Sequence, residues 1–206
     1  SGTSAGNVTY AGIISCSGVN IGFQAEGANS SNTYRNNVVD KVLIGIQLFG
    51  PAGGDANTIV DKNTLGSTIA TNYLGYRGLM ASNQTGLTVS ANAVTNITSS
   101  FGTGSDTDPT AGIIINGNTT GANIFGNTVT GIRNTSVTGW QSFGICLQSS
   151  SLTANTKVYN NFLYAITGNG RANDPAANGH AIAALTGAGY GIYHNSVYMV
   201  ANQALA

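Results

Sequence analysis

Residues 123–132 read NIFGNTVTGI, residues 157–166 read KVYNNFLYAI and residues 191–200 read GIYHNSVYMV. The three decapeptides begin 34 residues apart and place an aliphatic residue, an aromatic, an asparagine and a second aliphatic in the same order. A repeat of that period identifies an architecture of stacked units, each too small to bury its own apolar face.

Working outward, the asparagine anchors six copies: Tyr34/Asn37/Val39, Val60/Asn63/Leu65, Val89/Asn92/Val94, Ile124/Asn127/Val129, Val158/Asn161/Leu163 and Ile192/Asn195/Val197, with anchor spacings of 26, 29, 35, 34 and 34 residues. A second series is a small residue followed by aliphatics: Gly12, Gly45, Gly78, Gly112, Gly144 and Ala181, spaced by 33, 33, 34, 32 and 37 residues. The two series interleave, so each repeat holds both. Each segment is short, rich in β-branched and aliphatic residues, and bounded by Gly or Asn, which is the signature of a strand. Helical repeats of similar length are excluded, because the copies lack a 3.6-residue period and are full of Gly and β-branched residues.

The expected fold is therefore all-β: a parallel β-helix of about six turns of roughly 34 residues, forming one domain over residues 1–206. Successive turns stack at about 4.8 Å around a common apolar interior. Val39, Leu65, Val94, Val129, Leu163 and Val197 form one expected inward stack, and Val42, Ile97, Ile132, Ile166 and Val200 another. The anchor asparagines (Asn37, Asn63, Asn92, Asn127, Asn161, Asn195) are expected at bends, in left-handed conformation, with side-chain amides bonded to one another up the stack. Their role on this reading is structural.

With GIYHNSVYM and VYNNFLY in this pattern, the chain resembles the right-handed parallel β-helices of pectate-lyase-like proteins. It is most similar to repeat regions of large secreted or cell-surface proteins of Bacteroidota-type bacteria. The resemblance spans nearly the whole chain and implies an extracellular or cell-surface location. It implies fold far more than function, since the fold hosts lyases, hydrolases, adhesins and spacers.

Composition narrows the function. Charged residues are 7% of the chain, with seven basic and seven acidic, so there is no electrostatic footprint for nucleic acid or an anionic membrane. No stretch approaches twenty consecutive apolar residues, so membrane insertion is not expected. The polysaccharide-cleaving members of the resembled fold carry carboxylates together on a sheet face. Here Asp40 lies three residues after its anchor and Asp61 two before, so they share no column, and no catalytic residue is assigned. His180 and His194 fall in different segments, and Cys16 and Cys146 stand alone without a zinc pattern. Both cysteines sit among aliphatic residues, and a strand assignment four repeats apart separates them by roughly 19 Å at the stacking distance, too far for a disulfide. No cofactor is expected.

Two features rise above the scaffold. Inserts at residues 99–110, 133–142 and 167–179 occupy the same phase of successive repeats, and such insertions gather on one face. They bring Asp106, Trp140 and Asp174, at steps of 34, together with Asp108 and Arg171 as a candidate polar pocket with an aromatic floor; Asp106 and Asp108 are a weak candidate for calcium. The structural alternative is that Asp and Pro make turns there and Trp140 folds onto the coil. The second feature is a pair of outward aromatic columns, Phe125, Tyr159 and Tyr193, and Tyr164 and Tyr198. Stacked tyrosines suit sugar rings or a partner surface, or stabilise one another. The column Val38, Thr64, Ala93, Thr128, Phe162, Ser196 is too irregular for an ice lattice, leaving ice binding a minor alternative. Sequons at Asn7, Asn83, Asn96, Asn118 and Asn134 are no more than a chain so rich in Asn, Ser and Thr produces by chance.

Neither end carries a charged or helical cap, which solenoids need. The reading is a non-enzymatic extracellular structural or adhesive module, either a segment of a longer β-helix or a unit that stacks end to end on copies of itself. The expected partners are therefore itself, flanking β-helix repeats or glycans. A carbohydrate-binding or polysaccharide-cleaving protein with its site at the insert cluster is the rival.

Overall fold

The computed structural model describes residues 9–10, 13–15, 20–100, 109–136, 141–168 and 178–200, with side chains from residue 20 onward. The chain coils through short strands. The first pass comprises β1 (Thr9–Tyr10), β2 (Ile13–Ser15) and β3 (Ile21–Glu26), and the second β4 (Thr33–Arg35), β5 (Val38–Asp40) and β6 (Ile44–Phe49). The third holds β7 (Asp55–Ala56), β8 (Ile59–Asp61), β9 (Thr64–Gly66) and β10 (Arg77–Ser82), with a one-turn 3₁₀ helix over Ala70–Asn72. The fourth holds β11 (Gln84–Thr85), β12 (Thr88–Ser90), β13 (Ala93–Ser99) and β14 (Thr110–Gly117). Next come β15 (Asn123–Phe125), β16 (Thr128–Asn134) and β17 (Ser142–Ser149), then β18 (Lys157–Tyr159), β19 (Phe162–Tyr164), β20 (Thr167–Gly168) and β21 (Gly179–Thr186). β22 (Gly191–Tyr193) and β23 (Ser196–Tyr198) begin one more pass.

Three long parallel sheets line the coil, and β7 and β11 pair in a short fourth. The first orders β1-β4-β8-β12-β15-β18-β22, the second β2-β5-β9-β13-β16-β19-β23, and the third β21-β17-β14-β10-β6-β3. Paired residues Ile21, Ile44, Arg77, Ala111, Phe143 and His180 in the third sheet set advances of 23, 33, 34, 32 and 37 residues. The solenoid thus has about four turns of about 34 residues rather than the expected six. The earlier rungs are tighter: the step from β3 to β6 spans 23 residues, and the asparagine anchors of the next two rungs lie 26 and 29 apart.

The core follows from which side chains alternate inward. Tyr34, Val60, Val89, Ile124 and Val158 come from the first sheet, Val39, Leu65, Val94, Val129 and Leu163 from the second, and Ile46, Leu79, Ile113 and Ile145 from the third. All of these are buried in one cluster. The second expected stack, Val42, Ile97, Ile132, Ile166 and Val200, lacks a member in the third pass, where Leu74, bridged to Ile97 after the 3₁₀ turn, fills it; Val200, and Val197 of the first stack, are exposed rather than buried. The small residue of the third sheet lets backbones approach: a Cβ on Gly112 would lie 2.7 Å from the Gly144 carbonyl oxygen and collide with Val129 Cγ1.

One assignment changes. The segment at Gly12 does not open the small-residue series: Ile13 pairs with Val38, which puts β2 in the asparagine-anchored sheet, and Gly22, adjacent to Ile21, occupies the first small-residue position. Both segments are Gly followed by aliphatics, and only strand pairing separates them. The separation expected between Cys16 and Cys146 rested on placing them in one sheet. Cys16 lies outside the described residues, and Cys146 is a buried free thiol in the third sheet.

A further layer went unread in the sequence. Met80, Ala111, Ile114, Phe143 and Cys146 form a second buried apolar cluster; Met80, Ile114 and Cys146 alternate with the inward residues of the third sheet, which places the cluster on its outer face. β14 and β17 read TAGIIING and SFGICLQS, near-continuous apolar runs of the kind buried on both faces. Among the described residues no helix is long and apolar enough to cross a membrane.

Candidate functional site

The asparagines form one continuous ladder. The Nδ2 group of each donates to Oδ1 of the next: Asn37 to Asn63 at 2.8 Å, then Asn63 to Asn92, Asn92 to Asn127, Asn127 to Asn161 and Asn161 to Asn195, each at 2.9 Å. The backbone N–H of each donates to the same oxygen, at 2.9–3.1 Å. Each Nδ2 from Asn63 onward also donates back to a carbonyl of the preceding turn: Tyr34, Val60, Val89, Ile124 and Val158 in order. From Asn63 to Asn161 each buried side-chain amide donates both up and down the stack and accepts from the turn before, which is a scaffold role.

The left-handed residue at this corner is not the anchor but the one before it. Asn36, Lys62, Ala91, Gly126, Asn160 and His194 have φ between 52° and 63°. The left-handed residue turns the chain, and the following asparagine then directs its amide along the stack. Asparagine tolerates the left-handed region, so the sequence invited the opposite assignment; Lys62 and Ala91 hold the position without that preference.

The outward column two residues before the anchor divides into two parts. Registers align Arg35, Asp61, Ser90, Phe125, Tyr159 and Tyr193. In the first half, Asp61 accepts from Arg35 Nε at 3.0 Å and from Ser90 Oγ at 2.8 Å, so the column is an ionic and hydrogen-bonded network. In the second half it is a ring stack: Phe125 and Tyr159 centroids lie 5.1 Å apart with planes at 8°, and Tyr159 and Tyr193 5.3 Å apart at 6°. On the second sheet Gly66, Thr95, Thr130, Tyr164 and Tyr198 align, and the two tyrosines stack at 5.5 Å and 27°. Phe162 lies beside Tyr164, with its ring centroid 6.4 Å away and nearly parallel.

This geometry decides what the aromatics offer. A sugar stacks on the open face of a ring, but within these columns the faces are occupied by neighbouring rings. Tyr159, between two rings, therefore presents its edge and phenolic hydroxyl. Phe125 and Tyr193 end the first column and Tyr164 and Tyr198 make up the second, so each of these has a column neighbour on one side, and Tyr193 meets the His194 ring edge-on at 5.4 Å.

The insert-borne candidates Asp106, Asp108, Trp140, Arg171 and Asp174 lie outside the described residues. The scaffold does set where their segments leave and return. Ser99 and Asn134 pair, as do Asn134 and Gly168, and Thr110, Ser142 and Gly179 pair in turn, so all three inserts leave the second sheet and return to the third at matching positions of successive turns. The return side holds Arg77, buried, whose Nε donates to the Pro109 carbonyl at 3.0 Å and whose guanidinium lies 4.3 Å from the Tyr76 ring centroid, and His180 stacked on Phe143 at 5.2 Å. Burial pushes the Cys146 thiol up to about 12 against the opposing positive charge of Arg77, which makes it a packing residue rather than a nucleophile. Among the described residues no group of three His, Cys, Asp or Glu side chains is placed to hold a metal.

Comparison with protein-family models, with curated proteins and with solved structures found no match to this chain.

Proposed function

We propose that the chain is a structural and adhesive β-helix module that works outside the cell by rung-on-rung stacking, a stiff rod that presents its inserts and aromatic columns. The observation that carries this reading is the ladder of six asparagines, in which six successive rungs from Asn37 to Asn195 join their side-chain amides. The 7% charged content supports it, because little repulsion opposes association of such surfaces. By analogy with pectate-lyase-like β-helices of secreted and surface proteins, the coil is right-handed and its partners are β-helix repeats.

One observation favours a second reading, a glycan-binding or glycan-cleaving site: the three inserts leave and rejoin the coil at matching positions of successive turns. The two readings separate in one comparison. Antibody raised against the purified chain is expected to label intact source cells, and the chain is expected to leave a polysaccharide panel uncleaved. Labelling only after permeabilisation would remove the extracellular role. Cleavage abolished by Asp106→Asn or Asp174→Asn would replace the structural role with an enzymatic one.

A further inference from the structure

The corner that leads from the third sheet into the first buries a polar side chain at the start of three successive passes. Asn32 immediately precedes β4, Asp55 opens β7 and Gln84 opens β11, and they are 3%, 3% and 1% exposed. Asp55 and Gln84 are register partners across the β7–β11 pair, so their side chains share one face of it. Asn29 ties Asn32 to them: its carbonyl accepts from Asn32 Nδ2 at 2.7 Å, and its N–H donates to Asp55 Oδ1 at 2.7 Å. Gly50 keeps the space open, since a Cβ there would lie 2.8 Å from the Asp55 nitrogen and 3.1 Å from Gln84 Nε2.

Donors and acceptors do not balance in this corner. Gln84 Nε2 donates to the Ser82 carbonyl at 3.2 Å and Asn32 Nδ2 to that of Asn29. Those bonds fix both amides, because reversing either would set its oxygen against a carbonyl oxygen. Gln84 Oε1 and Asn32 Oδ1 are thereby left buried, with no hydrogen bond among the described residues. Asp55 accepts the Asn29 N–H and forms no ion pair among the described residues, where Arg35 pairs with Asp61. Thr119 closes the series in the following pass: its hydroxyl accepts from the Gln84 N–H at 3.1 Å and donates to the Asn116 carbonyl at 2.8 Å. A buried carboxylate calls for an opposing charge, and a buried amide oxygen for a donor or a cation. Water would serve the two amide oxygens and leave the carboxylate uncompensated; one hard cation meets all three demands.

We propose that this corner is a calcium site whose side-chain ligands, the Asp55 carboxylate, Gln84 Oε1 and Asn32 Oδ1, come from three passes of the coil. Calcium fits the donor set because carboxylate and neutral amide oxygens are its ordinary ligands. Magnesium dehydrates reluctantly and demands an octahedron, and zinc favours nitrogen and sulfur. With one carboxylate, the affinity falls at the weak end of calcium sites, a dissociation constant of about 10⁻⁴–10⁻³ M. Bound there, the ion crosslinks three passes as the ladder asparagines do. The site is separate from Asp106 and Asp108, and it stands apart from the function proposed above.

Thermal unfolding of the full chain tests the proposal, in EDTA and in calcium at about ten times the dissociation constant, with ionic strength matched by sodium chloride. Calcium is expected to raise the midpoint by about 3–6 °C, and magnesium to raise it far less. Asp55→Asn, which keeps an acceptor for the Asn29 N–H, and Gln84→Met, which keeps the length of the side chain, are each expected to lose this response. Asp106→Asn combined with Asp108→Asn is expected to keep it. No calcium response in the natural chain would overturn the proposal, as would an equal response to sodium chloride alone. A response that survives in both corner variants, or that disappears with Asp106 and Asp108, would place the ion elsewhere and overturn it too. Should the corner variants misfold, NMR of the natural chain decides: added calcium is expected to shift the backbone amides of Asn29, Asp55 and Gln84, and shifts confined to other residues would refute the site.

Discussion

Leucine at position 127 would nearly match asparagine in volume and remove hydrogen bonds from both neighbours at once. Asn92 would lose the acceptor for its N–H and its Nδ2, and the Asn161 oxygen and Val89 carbonyl would lose a donor. Asn127→Leu is expected to cost about 3–5 kcal/mol, since each buried group left unmatched costs roughly 1–3. Asn195→Leu, half-buried at the edge of the stack, should cost about 1 kcal/mol. Denaturant titration of the two variants checks the ratio. At the neighbouring corner position, Ala91 holds φ at 52°, and Ala91→Gly is expected to stabilise by about 0.5–1 kcal/mol, because relief of left-handed strain exceeds the added entropy of glycine. Cys146 adds a pH dependence. Its pKa is raised from 9.0 to about 12 in the fold, so the thiol contributes stability that is fully present below pH 9.0 and is lost as pH rises through about 12. The denaturation midpoint should fall more steeply over that window in the natural chain than in Cys146→Ala. The ladder asparagines were legible as a residue series. Their left-handed neighbours were not, because six different demands of one corner are met there by Asn, Lys, Ala, Gly and His, and no composition rule unites them.

The strands show what pattern reading reaches and what it leaves. Alternation within β15, β16, β18 and β19 identified the inward aliphatics and the outward aromatics, because one face of each is solvated. The outer apolar layer of Ala111, Ile114, Phe143 and Cys146 escaped because a strand buried on both faces has no alternation to read. Phase was also ambiguous where two segments share a motif: AGIIS and IGFQAE both look like small-residue strands, and only pairing of Ile13 with Val38 separates them. The ring columns give a prediction at this scale. A double-mutant cycle on Tyr159→Ala and Tyr193→Ala should return a coupling of about 0.5–1.5 kcal/mol, as expected for parallel rings with 5.3 Å between centroids. Coupling near zero would mean that the rings are held apart in solution and free to receive a ligand. In the third sheet, Gly112→Ala should destabilise by about 1–3 kcal/mol through the clash with Val129 and the Gly144 carbonyl.

For the whole molecule, each rung contacts mainly its neighbours, so stability is close to a sum of rung and interface contributions and opening should begin where rungs have one neighbour. The solenoid and its interior were legible because the same inward positions recur turn after turn. The number of full turns was not, because 23-, 26- and 29-residue steps in the early rungs count as repeats by motif but fall short of the later period. The function is less legible than the fold for the same physical reason: residues that repeat are those the stack requires, and a ligand site, being single, leaves no period. The most direct test of the central claim, that a continuous amide ladder is the spine of the stack, is native-state hydrogen exchange followed by NMR. The account predicts that the backbone amides of Asn63, Asn92 and Asn127 exchange as slowly as the strands beside them, with protection declining through Asn161 to Asn195. Ladder amides exchanging at the rate of exposed corners, while the strands stay protected, would contradict it.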